Sequence, residues 1–588
     1  MLMTRLPQIA AALLLTTVPA LVHSAAPTIP EPPRDSRFAQ FVDRYLDRFA
    51  QFHPSIAAGN GLHGHDGELE DFSSRNVAKE AVWLHDCRRA LDAMSEHGLT
   101  VDERVDRQIL QGIIDGWILD LETVRSWRRN PMIYVAALSD GLHDLVTMES
   151  SPPEQRMAQV ISKLKGVPRL LAAARSNIEA PPRLYVERAI VMLGGVSELL
   201  SHDLALAFAD AGDEKLRNHL QEAARTAIRD INAYRDELQT MGLEKATGSY
   251  VMGTKTVEAR YRAEEMIDLD AATLLRIGER ELARSQAEFA KTAALLDPAR
   301  SAVDVWRDVQ KRHPAPGQLA PAARALVDEL FEFVDQHHLV TLPANERVTV
   351  SPAPAYDLGL ASMHSSPPLE AHPVRSFYYV TDADPSWPAE RQQAWLEAFN
   401  YATLADITAH EVVPGHYVHS LFMRRTPGKI RRIWVGLNPF PQPSSGQDGW
   451  AHYAEQLVSD EGFHAEDPVY HLAQTAEALN RICRLIAGLR LHSGEWTVEQ
   501  ASSLFETEGH LIPAAAYREA VRGTYDPTYG GYFLGKLAAL KLRRDYAATR
   551  GTAFSLREFH ERVMSNGIAP WWAHRQLMLP GDQRAVIE

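Results

Sequence analysis

A histidine and a glutamate adjoin at His410-Glu411, and a second histidine, His416, follows across Val412-Val413-Pro414-Gly415. Two imidazoles and a carboxylate are the residue set of a zinc hydrolase: the imidazoles hold the metal, and the carboxylate acts as general base on its bound water. In the H-E-x-x-H form the two histidines lie four residues apart on one helix face. Here the interval is six, and at about 100° per residue an unbroken helix would point His416 well away from His410. Proline disrupts a helix interior and glycine accepts unusual backbone angles, so Pro414-Gly415 gives the chain the means to break the turn and swing His416 back. A helix end carrying ordinary histidines is the competing reading of the same residues.

Two histidines leave a tetrahedral zinc site short of ligands. After a loop predicted over residues 439–447, Asp448 opens a predicted helix on which Asp448, His452 and Glu455 fall at i, i+4 and i+7, hence on one face. A carboxylate from this second helix would meet the need. A solvated acidic face at a helix start, which the helix dipole favours anyway, is the alternative. Further on, His492 ends an apolar helix, and Thr497 with Gln500 forms a capping box for the next. The span Arg522 to Lys536 then gathers Tyr525, Tyr529 and Tyr532 among several glycines. A tyrosine hydroxyl can donate to an oxyanion, and aromatic packing at a helix entry explains any one of the three equally well.

The elements that must position these residues are mostly helical. Phe38, Phe41, Val42, Tyr45, Leu46 and Phe49 form one apolar stripe of a helix entered at Asp35-Ser36 and ended by His53-Pro54. Helical periodicity recurs from 75 to 335, punctuated by Pro and Gly at 131, 152–153, 181–182, 242 and 314–316. Between about 340 and 388 the texture changes, and Arg347–Val350 and Val374–Val380 are predicted strands. Helical periodicity resumes at Ala389 and runs into His410. A strand ahead of the His-Glu helix is the order expected if its edge lies beside the metal and binds an extended substrate backbone.

Residues 1–24 read as a cleaved export signal: Arg5 is the only charge, Ile9 to Val22 is apolar, and small residues precede Ala25. No cysteine for lipid attachment stands beside that cut, which predicts a periplasmic or secreted protein. No later stretch reads as a membrane span. A formal net charge of -15 without a basic cluster argues against nucleic acid as a partner. Cys87 and Cys483 could form one long-range disulfide or remain two thiols. A chain of this length exceeds one compact domain and predicts two lobes or several packed subdomains.

Taken in combination, four stretches resemble the bacterial family called domain of unknown function 885: His410 to His416 for H-E-x-x-P-G-H, Asp448 to Glu455 for E-G-W-A-x-Y-x-E, Leu491 to Trp496 for I-H-x-x-x-W, and Arg522 to Gly535 for R-x-x-x-x-P-G-Q-A-x-x-Y-x-x-G. His53-Pro54 through Gly59 to His63 and on to Asp71 is similar to the family as well. That family is itself similar to the gluzincin metallopeptidases of the thermophilic carboxypeptidase and thimet oligopeptidase groups. In those, a glutamate third ligand is followed seven residues later by another glutamate, so the resemblance implies Asp448 as third ligand and Glu455 as supporting carboxylate or alternative ligand. This chain departs in having Asp448 for the family's Glu, Gly488 for an acidic residue four before His492, and Tyr529 with glycines in place of P-G-Q-A.

The resemblance implies a mainly α fold: a two-lobed helical shell (about 25–340 and about 341–588) around a deep channel, with a small β-sheet next to the metal-site helix. The expected function is an exported peptidase with one Zn2+ per chain that hydrolyses short peptides. His410, His416 and Asp448 would hold the metal, Glu411 would be the general base, and His492 and Tyr532 would polarise the carbonyl or stabilise the oxyanion. Two alternatives are a decayed, metal-free peptide-binding shell and a di-metal carboxylate oxidase using Glu461-Gly462-Phe463-His464, although the second Glu-x-x-His such a site needs is not found. No G-x-S-x-G elbow marks a serine hydrolase, and neither cysteine sits in a nucleophile setting.

Overall fold

The structure, a computed structural model, describes residues 36–343, 346–353, 361–433 and 444–588 of the 588-residue chain. The export segment and positions 439–443 of the predicted loop lie outside the described residues.

The protein is mainly α. Ser36 Oγ accepts from Ala39 N at 2.9 Å to start the helix Arg37–Phe52, which buries Phe38, Val42, Tyr45, Leu46 and Phe49. Pro54 opens the next helix, where a missing N–H leaves no bond unmade. Pro131, Pro152 and Pro182 stand ahead of the helices Met132–Thr147, Pro153–Asn177 and Arg183–Glu198. Gly242 does not punctuate: the helix Glu214–Glu237 widens through Leu238–Gly242 and runs on to Lys245. Buried Leu238 anchors that turn, and one glycine costs a helix only about 1 kcal/mol.

Apolar packing falls into two large clusters. One runs from Phe38 to Leu238 and takes in Ile430, Ile433, Ala569 and Ala573; the other runs from Val257 to Ile587. The helices Thr254–Glu264, Ala271–Leu296 and Leu319–Gln336 thus contribute to the cluster that holds the His-Glu helix, although the change of sequence texture comes near 340. Among the described residues one run, Arg183–Ala207, mean hydropathy 1.4, is long and apolar enough to cross a membrane by length and composition alone, which is compatible with the expectation of no membrane span. Its Tyr185, Val186, Ala189, Leu193 and Val196 are buried in the first cluster, which accounts for the composition. Cys87 and Cys483 are both free and buried, so the two-thiol alternative holds.

Three strands form the sheet: β1 Thr349–Pro352, β2 Ala361–His364 and β3 Phe377–Val380. Central β3 runs parallel to β1, with Thr349 opposite Phe377, and antiparallel to β2, with His364 opposite Phe377. Strands β1 and β3 overlap the two predicted ones. Sequence reading missed β2 because Ala-Ser-Met-His carries no β-branched residue; pairing with β3 makes it a strand.

Six helices position the site: α1 Tyr401–Glu411, α2 His416–Met423, α3 Asp448–Asp460, α4 Pro468–Ser493, α5 Pro513–Tyr525 and α6 Gly531–Arg550. Helix α1 packs against both α3 and α4, α3 packs against α6, and edge strand β2 lies against α1. Tyr378 Oη of β3 and Thr408 Oγ1 of α1, 3.2 Å apart, tie sheet to helix.

Candidate metal centre

Asn400 caps α1 by accepting from Thr403 N at 3.0 Å, and the helix ends at Glu411. The chain then folds back: Gly415 N donates to Ala409 O at 3.1 Å, Val418 N donates to Val412 O at 3.2 Å, and α2 starts at His416. Only glycine fits at 415, because a Cβ there would lie 1.7 Å from His410 O. Trp450 of α3, fully buried, clamps the turn by donating from Nε1 to Pro414 O at 3.0 Å. The six-residue interval is therefore spanned by a helix break, and the His410 and His416 rings meet edge to face with centroids 4.8 Å apart.

Helix α3 supplies the carboxylates. His416 Nε2 is 3.7 Å from Asp448 Oδ1, and ligand atoms of His410, His416 and Asp448 all lie within 4.8 Å of one another. Glu455, two turns along the same face, is fully buried and accepts from His410 Nδ1 at 2.6 Å. A carboxylate can only accept, so His410 carries its proton on Nδ1 and offers Nε2 as a lone pair. That arrangement of carboxylate, histidine and open ring nitrogen is how proteins orient a metal ligand. Atoms sharing one zinc sit about 3–4 Å apart, so the three residues need only small side-chain adjustment to close on a single ion.

Electrostatics follow from burial and close approach. Burial, with His416 adding to it, holds His410 well below the usual imidazole range. Burial also lowers His416, but Asp448 and Glu411 beside it outweigh that and raise it. For Asp448 burial acts upward and is overcome by His416 and His410, which hold it below the usual carboxylate range. Burial pushes Glu411 up to about 7. His364, at the end of β2, is among the charges that act on Glu411.

Glu455 is saturated. Its Oε1 also accepts from Arg481 Nη2 at 2.8 Å, and its Oε2 accepts from His452 Nδ1 at 2.8 Å. Arg481 is anchored by Glu477, 3.0 Å from its Nη1. Fully buried Asp406 and nearly buried Lys536 complete this polar interior; burial raises Asp406 well above its usual value and brings Lys536 down to about 8. Sequence reading missed Arg481, Asp406 and Lys536. The available signal was the i,i+4 pair Glu477–Arg481 in α4, a helix otherwise buried along most of its length.

The model of the bacterial family of proteins of unknown function DUF885 matches residues 54–577. The chain belongs to that family. A candidate lipoprotein of unknown function from Shewanella oneidensis has a similar structure, with TM-score 0.76 and 25% identity over 92% of this chain and 100% of that one. Another candidate lipoprotein, from Colwellia psychrerythraea, matches with TM-score 0.76 and 18% identity over 92% of this chain and 98% of its own. No curated protein matches.

Within this DUF885 chain, the Asp448 carboxylate acts electrostatically on Tyr532, and His492 is bonded elsewhere. Helices α3 and α6 cross at Gly449 and Gly535, where a Cβ on Gly449 would lie 2.5 Å from Gly535 Cα. One turn before that crossing, Tyr532 is near enough to Asp448 for the carboxylate, after burial, to help push the phenol up to about 12. His492 is fully buried, and its Nε2 donates to Gly523 O at 2.8 Å. Burial takes its pKa down to about 4. Its proton holds α4 to α5, so the role expected for it at the substrate carbonyl is not met by this geometry. Glu461 and His464 also fall elsewhere: His464 pairs with Glu329 at 2.7 Å and Glu461 with Arg543 at 3.5 Å, and the two do not converge.

Tyr529 packs beside two glycines. A Cβ on Gly488 would lie 3.1 Å from Tyr529 Cε1, and one on Gly523 would lie 2.5 Å from Tyr529 Oη. The fully buried Tyr529 ring and Pro527 O, 3.0 Å from the same Cβ position, thus fill the space beside Gly488.

Proposed function

We propose that this protein is an exported, zinc-dependent peptidase acting on short peptides. The observation that carries the reading is His410 with Nδ1 bound to Glu455 and Nε2 open beside His416 and Asp448, next to a buried carboxylate, Glu411. His410, His416 and Asp448 would hold the ion. A zinc ion bound there would supply Lewis-acid polarisation of a carbonyl and lower the pKa of water.

The chain's own residues would do the rest. Glu411, with proton affinity near neutrality, would take a proton from the attacking water and return it to the leaving amine nitrogen. Tyr532 would donate to the carbonyl oxygen as charge develops there. Edge strand β2, against α1, would pair with an extended substrate backbone. Similarity to gluzincin peptidases in the motif order supports the same roles. Export rests on the apolar segment Ile9 to Val22 and on the names of the structural relatives, and a periplasmic or secreted location is proposed.

The test is metal analysis of purified protein beside a digest of mixed short peptides, repeated with Glu411→Gln. Expected are one zinc per chain, peptide cleavage by the parent, and loss of cleavage with metal retained in the variant. Protein that lacks metal and gains no peptidase activity on zinc addition sinks the proposal in favour of a peptide-binding shell.

A further inference from the structure

A phenol that donates to a developing oxyanion needs its proton aimed, and we infer that Arg522 does the aiming. The inference rests on the peptidase reading. Arg522 lies in the last turn of α5 and Tyr532 in the first turn of α6, joined through the 526–530 turn. Arg522 Nη2 donates to Tyr532 Oη at 3.0 Å. A phenolic oxygen that accepts from a guanidinium keeps its own proton for another partner.

The guanidinium is itself fixed. Nη2 and Nε donate to Asp526 Oδ2 at 3.0 and 3.2 Å, and the Tyr529 and Tyr532 rings lie 5.8 and 5.7 Å from its centre. Through Nη2 the planar fork serves both the carboxylate and the phenol, which the point charge of a lysine reproduces only in part. The close Gly449–Gly535 crossing sets the approach of α6, which carries Tyr532, to α3, which carries Asp448. Arg522 is therefore a positioning residue that acts through Tyr532, and Tyr529 earns its place by stacking on that guanidinium as well as by filling the space at Gly488.

The experiment is a double-mutant cycle on zinc-loaded full-length protein with a short fluorogenic peptide: Arg522→Gln and Arg522→Lys, each alone and combined with Tyr532→Phe. Tyr532→Phe is expected to lower kcat by about 10²–10³-fold, the scale of losing one oxyanion donor. Arg522→Gln is expected to lower kcat by about 10-fold or more with KM little changed, to be partly rescued by Arg522→Lys, and to add nothing when Tyr532 is already Phe. Zinc content and melting curves identify variants that keep the fold; Arg522→Lys carries the test if Arg522→Gln does not.

Losses that multiply in the double variant overturn the inference. So does an Arg522→Gln effect confined to KM for peptides with a free carboxyl end and absent for amidated ones, which makes Arg522 a substrate ligand. A parent protein without zinc-dependent cleavage is a different failure and sinks the peptidase reading itself.

Discussion

Replacing Glu455 by glutamine keeps the side chain's shape and removes its charge, at a carboxylate that receives three N–H donors: His410 Nδ1, Arg481 Nη2 and His452 Nδ1. The amide oxygen can still serve His410 and Arg481 from the Oε1 position, but its NH2 then faces the proton on His452 Nδ1. His452 must change tautomer, which puts a proton on Nε2, a buried atom with no partner, at about 1–3 kcal/mol. Arg481 keeps its ion pair with Glu477 but loses the one with Glu455. Loss of one member of a buried ion pair costs about 3–5 kcal/mol, so the variant is expected to melt well below the parent. His410 also loses the anionic partner that fixes its tautomer, and zinc affinity should fall about 10–100-fold, or about 1.4–2.7 kcal/mol. Zinc titration against a chromogenic chelator, with melting curves at zero and saturating zinc, measures both. Parent-like affinity in Glu455→Gln refutes the supporting role. Total loss of zinc from Glu455→Gln, with retention in Asp448→Ala, moves the third ligand seven residues along α3; the structure leads to the opposite pattern.

Three further outcomes follow from the geometry. Gly415→Ala, with its methyl 1.7 Å from His410 O, should lose at least about 4 kcal/mol or fail to fold, measured by soluble yield and chemical unfolding; parent-like stability would mean the break in the H-E-x-x-P-G-H segment is wrongly drawn. Gly488→Asp should destabilise by about 1–3 kcal/mol by crowding Pro527 O and Tyr529, and Tyr529→Ala should recover part of that; equal losses with and without Tyr529 would disprove the Tyr529 contact. His63 binds Asp66 at 2.9 Å and Glu370 at 2.7 Å, bonds that raise it to about 10. A raised histidine stabilises fully below its unfolded value of about 6.5, so the stability gap between parent and His63→Gln should be largest there and close as pH rises through about 10; a gap that widens over that range contradicts the assignment.

The parts of the centre that were legible in the sequence are those written locally. Pro414-Gly415 announces a break that lets the two histidines meet, and the seven-residue spacing from Asp448 to Glu455 puts both carboxylates on one face of α3. What was not legible depends on residues far apart in the chain. Arg481 reaches Glu455 across 26 positions, and Asp406 becomes buried only because α1 packs between α3 and α4. The strand β2 has no propensity of its own and exists by pairing with β3. His492 misled because a histidine after an apolar run looks the same whether its ring faces a substrate or a main-chain carbonyl; only the packing of α4 on α5 decides for Gly523.

The crossing of α3 and α6 at Gly449 and Gly535 has a bearing on how this scaffold could change over evolutionary time. With main chain resting on main chain, no side chain is available there to trade for a longer or shorter one, so the spacing of Asp448 and Tyr532 cannot drift by ordinary substitution. A lineage adapting to a new substrate would have more freedom on the β2 side of α1, where β2 ends at His364 and meets His143 at 2.8 Å. A library built to alter selectivity should accordingly hold α3 and the first turn of α6 constant and randomise the end of β2 and its neighbours.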